Sequence, residues 1–172
     1  YGHDASDRIT NSGFVYDTNG NLLSDGVKSY EYDAANHLTK VISGSVTIDY
    51  AYDGWGNLIQ ESSNGITTEY VLDERGALPT ILGEVRSDGT TRLYAYGPEG
   101  FAAQMTPSAG SGQAVGGGIE YPLLDGLGSV RQLTDGSGTV TLSHSYDAFG
   151  NVRYTSGTGV THLGYTGELQ DQ

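Results

Sequence analysis

Apolar and polar residues alternate with a step of two along several short stretches of the chain. Ile48, Tyr50 and Tyr52 follow this step, and Leu142, His144 and Tyr146 repeat it later in the sequence. Because successive side chains of a β-strand point to opposite faces, the alternation predicts strands with one half-buried face. Turn-forming residues rich in Gly, Ser, Asn and Asp separate these stretches. The pattern therefore predicts an all-β array of antiparallel β-hairpins that form a twisted, curved sheet.

A short motif, Tyr-Asp-x-x-Gly-Asn-Leu in its fullest form, recurs in eight copies. The copies begin at residues 3, 16, 32, 52, 72, 96, 124 and 146. The mean step is about 20 residues, a period that indicates a repeat architecture. The first residue of each copy ends an incoming strand, and the seventh residue is always apolar and lies in the returning strand. Each copy is therefore predicted to form one hairpin.

The second and fifth residues of the motif predict the turn between the two strands. The second is Asp in seven of the eight copies, and the fifth is Gly, Asn or Asp in all of them. Asp at the first corner of a turn accepts hydrogen bonds from the amides ahead of it, and those three residue types most readily take a left-handed backbone. A structural turn role is predicted for Asp17 and Gly20, Asp33 and Asn36, Asp53 and Gly56, Asp73 and Gly76, Asp125 and Gly128, and Asp147 and Gly150.

Composition supports a turn-rich sheet, and the net charge reduces the number of possible function classes. The 27 glycines fit many turns, and 13 tyrosines against 3 phenylalanines fit half-buried strands whose hydroxyls reach polar partners. A formal net charge of −13 disfavours a nucleic-acid or anionic-membrane surface. The chain has no cysteine, no stretch as long as a membrane span and no signal segment at its start. Because it begins with Tyr1, it is expected to be a piece of a longer array.

Three candidate chemical sites are each better explained by a structural role. Residues 17–25 carry oxygen-bearing side chains at a spacing similar to that of a Ca²⁺-binding loop. The Ca²⁺ loop, however, requires Gly where this chain has Leu22, and Glu where it has Lys28. Ser129 lies among glycines but lacks the Gly-x-Ser-x-Gly setting of a nucleophile. The histidines, which are His3, His37, His144 and His162, lack metal-ligand spacing. The sequence therefore predicts no catalytic residue, cofactor or metal, and no enzyme.

Aromatic residues leave a second function open. Four aromatic residues are candidates for stacking on a ligand: Trp55 at a predicted turn tip, and Tyr50, Tyr52 and Tyr70 on the strands. The alternative to a structural role is thus a carbohydrate- or protein-binding module for surface adhesion.

The array is divided by one irregular segment. Residues 1–105 are predicted to form the hairpin array, and residues 119–172 to continue it. Between them, residues 106–118 (TPSAGSGQAVGGG) are rich in small residues without a pattern, which predicts a flexible insertion.

The repeat unit resembles the YD repeat of the Rhs family, which includes bacterial polymorphic toxins, the B and C components of insecticidal toxin complexes, and teneurins. The resemblance is most specific at Gly-Leu-Gly-Ser-Val-Arg, residues 126–131, and Tyr-Asp-Ala-Phe-Gly-Asn, residues 146–151. Both look like the start of the Rhs-associated core region. Gly126 departs from the family pattern, which usually has His there.

The resemblance implies a fold and a role. Such repeats form a long β-sheet that spirals into a hollow shell, and in the toxin members the shell encloses a C-terminal toxic domain. The autoproteolytic segment of those members is expected beyond Gln172. The resemblance therefore implies a wall or scaffold segment of a secreted or cell-surface bacterial protein. Its expected partners are the rest of the parent shell and an enclosed toxin domain, with self-association through edge strands as a further expectation.

Overall fold

The computed structural model describes residues 2–76, 78–98, 100–107 and 118–170. These residues form strands and a single 3-10 turn at Tyr165–Gly167, with no α-helix among them. The predicted all-β class is confirmed. The strands are β1 (Phe14–Tyr16), β2 (Leu22–Asp25), β3 (Lys28–Tyr32), β4 (Leu38–Ser43), β5 (Val46–Tyr52), β6 (Leu58–Ser63), β7 (Ile66–Asp73), β8 (Thr80–Arg86), β9 (Thr91–Gly97), β10 (Gly100–Met105), β11 (Ile119–Leu124), β12 (Val130–Asp135), β13 (Val140–Tyr146) and β14 (Val152–Gly157).

Strand order follows chain order from β1 to β14, so the predicted array of antiparallel hairpins is also confirmed. In five hairpins the first residue of the repeat faces the seventh across the ladder, directly after a register shift. The pairs are Tyr16 and Leu22, Tyr32 and Leu38, Tyr52 and Leu58, Leu124 and Val130, and Tyr146 and Val152. Because directly opposed side chains stabilise each other, the pairing explains why the seventh residue is always apolar.

The chain divides into two compact units, and each is described by itself. Unit 1 contains Tyr1–Thr80 and Val85–Asp88, and unit 2 contains Ile81–Glu84 and Gly89–Gln172. The predicted insertion at 106–118 stays a prediction, because residues 108–117 lie outside the described residues. On either side of it, β10 and β11 pair through Gln104 with Glu120 and Met105 with Ile119.

Unit 1 is a sheet with one aromatic and one charged face. The strand registers place Tyr30, Tyr50 and Tyr70 on the same face, where all three are half-buried. The other face carries the cross-strand row of Glu31, Lys40 and Asp49, in which Lys40 Nζ lies 3.9 Å from Glu31 and 3.4 Å from Asp49. Among the residues of unit 1 that the structure describes, only Thr68 is buried. The described residues of this unit therefore form no sealed apolar core.

Unit 2 has such a core. Its buried apolar side chains come from β9, β10, β12 and β13 and from the segment after β14, and they are Tyr94, Phe101, Val130, Leu133, Leu142 and Leu163. Leu163 lies in residues 158–170, which we call the strap. The strap runs over the face of the sheet that the other five residues line, and it closes that face from solvent.

Candidate functional site

The hairpin turns are held by one carboxylate each. In five of the predicted turns the Asp Oδ1 accepts hydrogen bonds from the amides two and four residues ahead, at 2.8–3.0 Å. In each of these turns the fifth residue of the repeat has a positive φ, as at Gly56 (86°) and Asn36 (67°). These five are the turns that begin at Asp17, Asp33, Asp53, Asp125 and Asp147. The hydrogen bonds leave few donors unsatisfied at the end of the sheet.

The same bonds lower the pKa values of the turn carboxyls. The pKa of Asp53 is lowered to about 2, chiefly by the hydrogen bond from the backbone amide of Asn57. The pKa of Asp147 is also lowered, first by the hydrogen bond from the Asn151 side chain. Both groups therefore stay ionised as hydrogen-bond acceptors, a structural state rather than that of a general acid.

The turn at Asp73 and Gly76 differs from the prediction, because Gly76 does not have a positive φ. In four of the five turns described above, the second oxygen of the Asp binds a polar side chain at the sixth position of the repeat. The sixth residue of this copy is Ala77, which has no polar side chain. Arg75 binds both oxygens of Asp73 instead, with Nε–Oδ1 and Nη2–Oδ2 distances of 2.8 and 2.6 Å.

A further turn of the same geometry connects β12 and β13. Asp135 Oδ1 accepts from the amides of Ser137 and Thr139 at 2.8 and 2.9 Å, and Gly138 has a φ of 84°. The sequence shows the same Asp-x-x-Gly spacing there, outside the eight copies. This turn therefore forms without the preceding Tyr.

Two of the tyrosines that begin repeats link neighbouring hairpins. Tyr52 donates its hydroxyl hydrogen bond to the Leu38 carbonyl at 2.8 Å, and Tyr146 donates to the Val130 carbonyl at 2.9 Å. Each acceptor is the seventh residue of the preceding repeat. A phenylalanine at this position would keep the ring packing but lose the bond, which explains the preference for Tyr.

The four residues predicted to stack on a ligand do not form one surface. Trp55 lies at a turn tip with 88 % of its surface exposed, beside a shallow cleft that Asn57, Glu74, Gly76 and Pro79 also line. None of the three predicted tyrosines lines that cleft. Tyr50, Tyr52 and Tyr70 lie on the strands, where the Tyr52 ring stacks on His37 with centroids 4.8 Å apart and the Tyr70 hydroxyl lies 3.5 Å from Glu61.

The strap is attached to unit 2 at several points along its length. The amides of Thr158 and Gly159 donate to the Thr141 carbonyl at 2.9 Å, and the Val130 amide donates to the Gly164 carbonyl at 2.9 Å. Ser129, which is fully buried, accepts the Thr166 amide on its Oγ at 3.0 Å. That bond is the role the structure gives to Ser129.

Beneath the strap lies a buried group of charged and polar side chains. Glu84 is 1 % exposed, and its carboxylate binds His162 Nδ1 at 2.5 Å, Arg92 Nη1 at 3.3 Å and the Tyr94 hydroxyl. Desolvation opposes ionisation of Glu84, but the bonds from His162 and Tyr94 and the charge of Arg92 outweigh it and lower its pKa. Burial, with the Glu84 charge, raises the pKa of Tyr94 far above its usual range. We call Glu84, Arg92, Tyr94 and His162 the buried charge cluster.

A second polar contact lies between β10, β11 and the strap. Gln104 Nε2 donates to Glu120 Oε2 and to the Val160 carbonyl, both at 2.7 Å. Glu120 also accepts the Thr141 hydroxyl at 2.5 Å. The strap is thus held by backbone, amide and charged contacts together.

Sequence reasoning missed the buried charge cluster. Arg92, Tyr94 and Tyr96 follow the step of two, which places a cation on an otherwise aromatic face. That position was a signal for a buried carboxylate partner. Its identity as Glu84, and the arrival of His162 from the strap, depend on contacts that no local pattern encodes.

The described parts of the chain contain no group of three or more His, Cys, Asp or Glu side chains arranged to hold a metal ion. No helix in those same parts is long and apolar enough to cross a membrane.

Comparison with known proteins places the chain in a family. Residues 2–172 match the family model described as Teneurin YD-shell. No curated protein matches the sequence. The fold is similar to that in the Photorhabdus luminescens Tc holotoxin pore, with 15 % identity, a TM-score of 0.64 and coverage of 91 % of this chain and 8 % of the other. It is also similar to the TcdB2–TccC3 crystal structure, with 12 % identity, a TM-score of 0.60 and coverage of 84 % and 8 %.

The chain spans less than a tenth of the length of these solved chains. The likeness to them shows the fold, and the match over residues 2–172 shows the family. The resemblance to the YD repeat is thereby confirmed, and the chain belongs to the teneurin YD-shell family.

Proposed function

We propose that this chain is a wall segment of a β-shell in a secreted or cell-surface bacterial protein of the toxin-delivery type. It acts by containment rather than catalysis. The observation that carries the proposal is the YD-shell family match over residues 2–172 together with the aromatic face of unit 1, which has no sealed core of its own. A sheet normally covers such a face with another layer, and the contents of a shell or a further part of its wall would supply one.

The contacts of the wall are mostly main-chain. Each strand between β1 and β14 has a sheet neighbour on both sides, and the carboxylates close the hairpin ends. The proposed partners are the remainder of the parent shell and an enclosed C-terminal toxin domain. Self-association through the edge strands β1 and β14 is a further part of the proposal, since edge strands present unpaired backbone groups. Light scattering across a concentration series tests it, and a strict monomer at high concentration contradicts it.

Cryo-electron microscopy of the complete gene product tests the wall. We expect residues 2–170 to lie in the wall of a closed cavity, with the face that carries Tyr50 turned towards the interior. If the hairpins instead form a free array with both faces in solvent, the proposal is wrong. Limited proteolysis of any domain that follows in the reading frame gives a second readout, since containment protects that domain.

The second candidate function is ligand binding by Trp55. Its exposure beside a cleft with Glu74 and Asn57 is the specific observation in its favour. A glycan array probed with the wild type and with Trp55→Ala tests it. The matched control is Phe149→Ala, which removes an 89 % exposed aromatic at the same turn position. Binding that Trp55→Ala abolishes and Phe149→Ala preserves supports the adhesion function. If neither the wild type nor Phe149→Ala binds any glycan, the adhesion function is wrong and the wall function stands alone.

A further inference from the structure

The strap differs from every strand beneath it in how it is attached. The strands of unit 2 form ladders with their neighbours, whereas the strap makes only isolated contacts with the sheet. Its one β-bridge, between Leu163 and Leu169, lies within the strap itself. Segments with few shared hydrogen bonds open separately from the sheet they cover.

The charged attachment of the strap is concentrated at His162. Glu84 and Arg92 belong to β8 and β9, so the sheet supplies a buried anion and a buried cation, and the strap supplies the His162 ring as the third partner. The other titratable groups facing this site are Tyr94 and Tyr96 on β9 and Glu168 on the strap, whose charge acts on Tyr96. Glu120 on β11 binds Gln104, which also holds the strap.

A buried carboxylate is stable only while its partners remain in place. Closing the strap brings His162 to Glu84 and excludes water from Arg92, so closure and ionisation of Glu84 support each other. Neutralising Glu84 leaves Arg92 buried without its anion. Opening the strap then returns water to Arg92, and the cost of keeping the strap closed rises.

We propose that the strap is a latch: residues 158–170 open as one unit while β9–β13 stay folded, and the ionised Glu84 keeps them closed. This device goes beyond the containment role and does not depend on it. Opening uncovers Val130, Leu133 and Leu142, so an apolar surface becomes available in the open state. The latch holds at neutral and mildly acidic pH and fails only under stronger acid, because the bonds from His162 and Tyr94 keep Glu84 ionised below its usual range.

Hydrogen exchange with mass spectrometry on the 172-residue chain tests the latch. In Glu84→Gln we expect the strap amides, such as those of Gly164, Thr166 and Gln170, to exchange at least tenfold faster. Peptides from the interior of β12 and β13 should change by less than twofold. The matched control is Glu61→Gln, which removes a half-buried carboxylate next to Tyr70 in unit 1 and should leave strap exchange unchanged.

A second variant protects the test against misfolding of Glu84→Gln. His162→Ala removes only the strap's side of the contact and leaves the Glu84–Arg92 pair intact. It should also accelerate strap exchange, and the double variant should be no faster than the faster single one. Unchanged strap exchange in both variants overturns the proposal. So does equal acceleration of the strap and of β12–β13, because the strap would then not be an independent unit.

Discussion

The two units use the same hairpin but differ in how completely one face of the sheet is buried. In unit 1 the aromatic face stays half-buried, and its polar bonds run from hydroxyls to the sheet, as from Tyr30 to Asp25 at 2.8 Å. In unit 2 the strap seals the face, and Leu133 has no exposed surface. This difference indicates that the repeat determines the hairpin, whereas burial of the core-lining face in unit 2 depends on the strap, which lies outside the repeats.

The largest expected loss of stability distinguishes the buried face of unit 2 from the half-buried face of unit 1. Leu133→Ala leaves a cavity in the sealed core of unit 2 and should lower the free energy of unfolding by about 2–5 kcal/mol. Ile48→Ala removes a side chain of similar size from the half-buried face of unit 1 and should cost less than half as much, because less apolar surface returns to water. Urea denaturation followed by circular dichroism measures both. Equal losses would show that the two faces are equally buried in solution.

The next effect addresses what the units share. Gly56→Val forces a β-branched residue to a φ of 86° and brings Cβ within 2.9 Å of His37 Nε2, so it should cost about 1–3 kcal/mol. Gly150→Val in unit 2, where φ is 88°, should cost a similar amount or more, since Cβ there meets the Tyr165 ring. Gly54→Val is the control, because Gly54 has no positive φ and a Cβ there meets nothing within 4 Å. If all three variants melt at the same temperature, the structural role of the turn residues is wrong.

A smaller effect is expected for the hydroxyls that connect neighbouring hairpins. Tyr52→Phe and Tyr146→Phe each remove one hydrogen bond to a backbone carbonyl and should each cost about 1 kcal/mol, in unit 1 and unit 2 alike. The mostly exposed Tyr154 provides the control, and Tyr154→Phe should leave the stability nearly unchanged. A cost in only one unit would mean that the connection is not a general property of the repeat.

The smallest effect is a titration. Asp53 should titrate near pH 2, because the Asn57 amide favours its charged form. Since this pKa lies below that of an unfolded aspartate, the contribution of Asp53 to stability is complete above the unfolded value. It is lost as the pH falls through the folded one. Carbon-detected NMR of the carboxyl group measures the pKa, and Asn57→Ala should raise it by removing the side-chain bond. A titration at the ordinary aspartate pKa would contradict the hydrogen bonds of this turn.

The sequence predicted what depends on near neighbours. The hairpins could be predicted because Asp53, Gly56 and Leu58 act on one another within one turn. Gly76 departs from the pattern although Asp73 and Gly76 have the same spacing as the other turns. The strap could not be predicted, because its contacts join residues far apart, such as Ser129 with Thr166 and Gln104 with Val160, which lie 37 and 56 positions apart.

The backbone hydrogen bonds of the turns place no requirement on the side chain at one position. At the third turn residue the amide is bound by Asp, while the side chain varies from Asn19 to Trp55 to Phe149. Successive turns on one end of a sheet are two strands apart, about 10 Å. Within unit 1 the fold is therefore a display scaffold: foreign side chains grafted at positions 19, 35 and 55 would stand side by side on successive hairpins, without altering the hairpins that carry them.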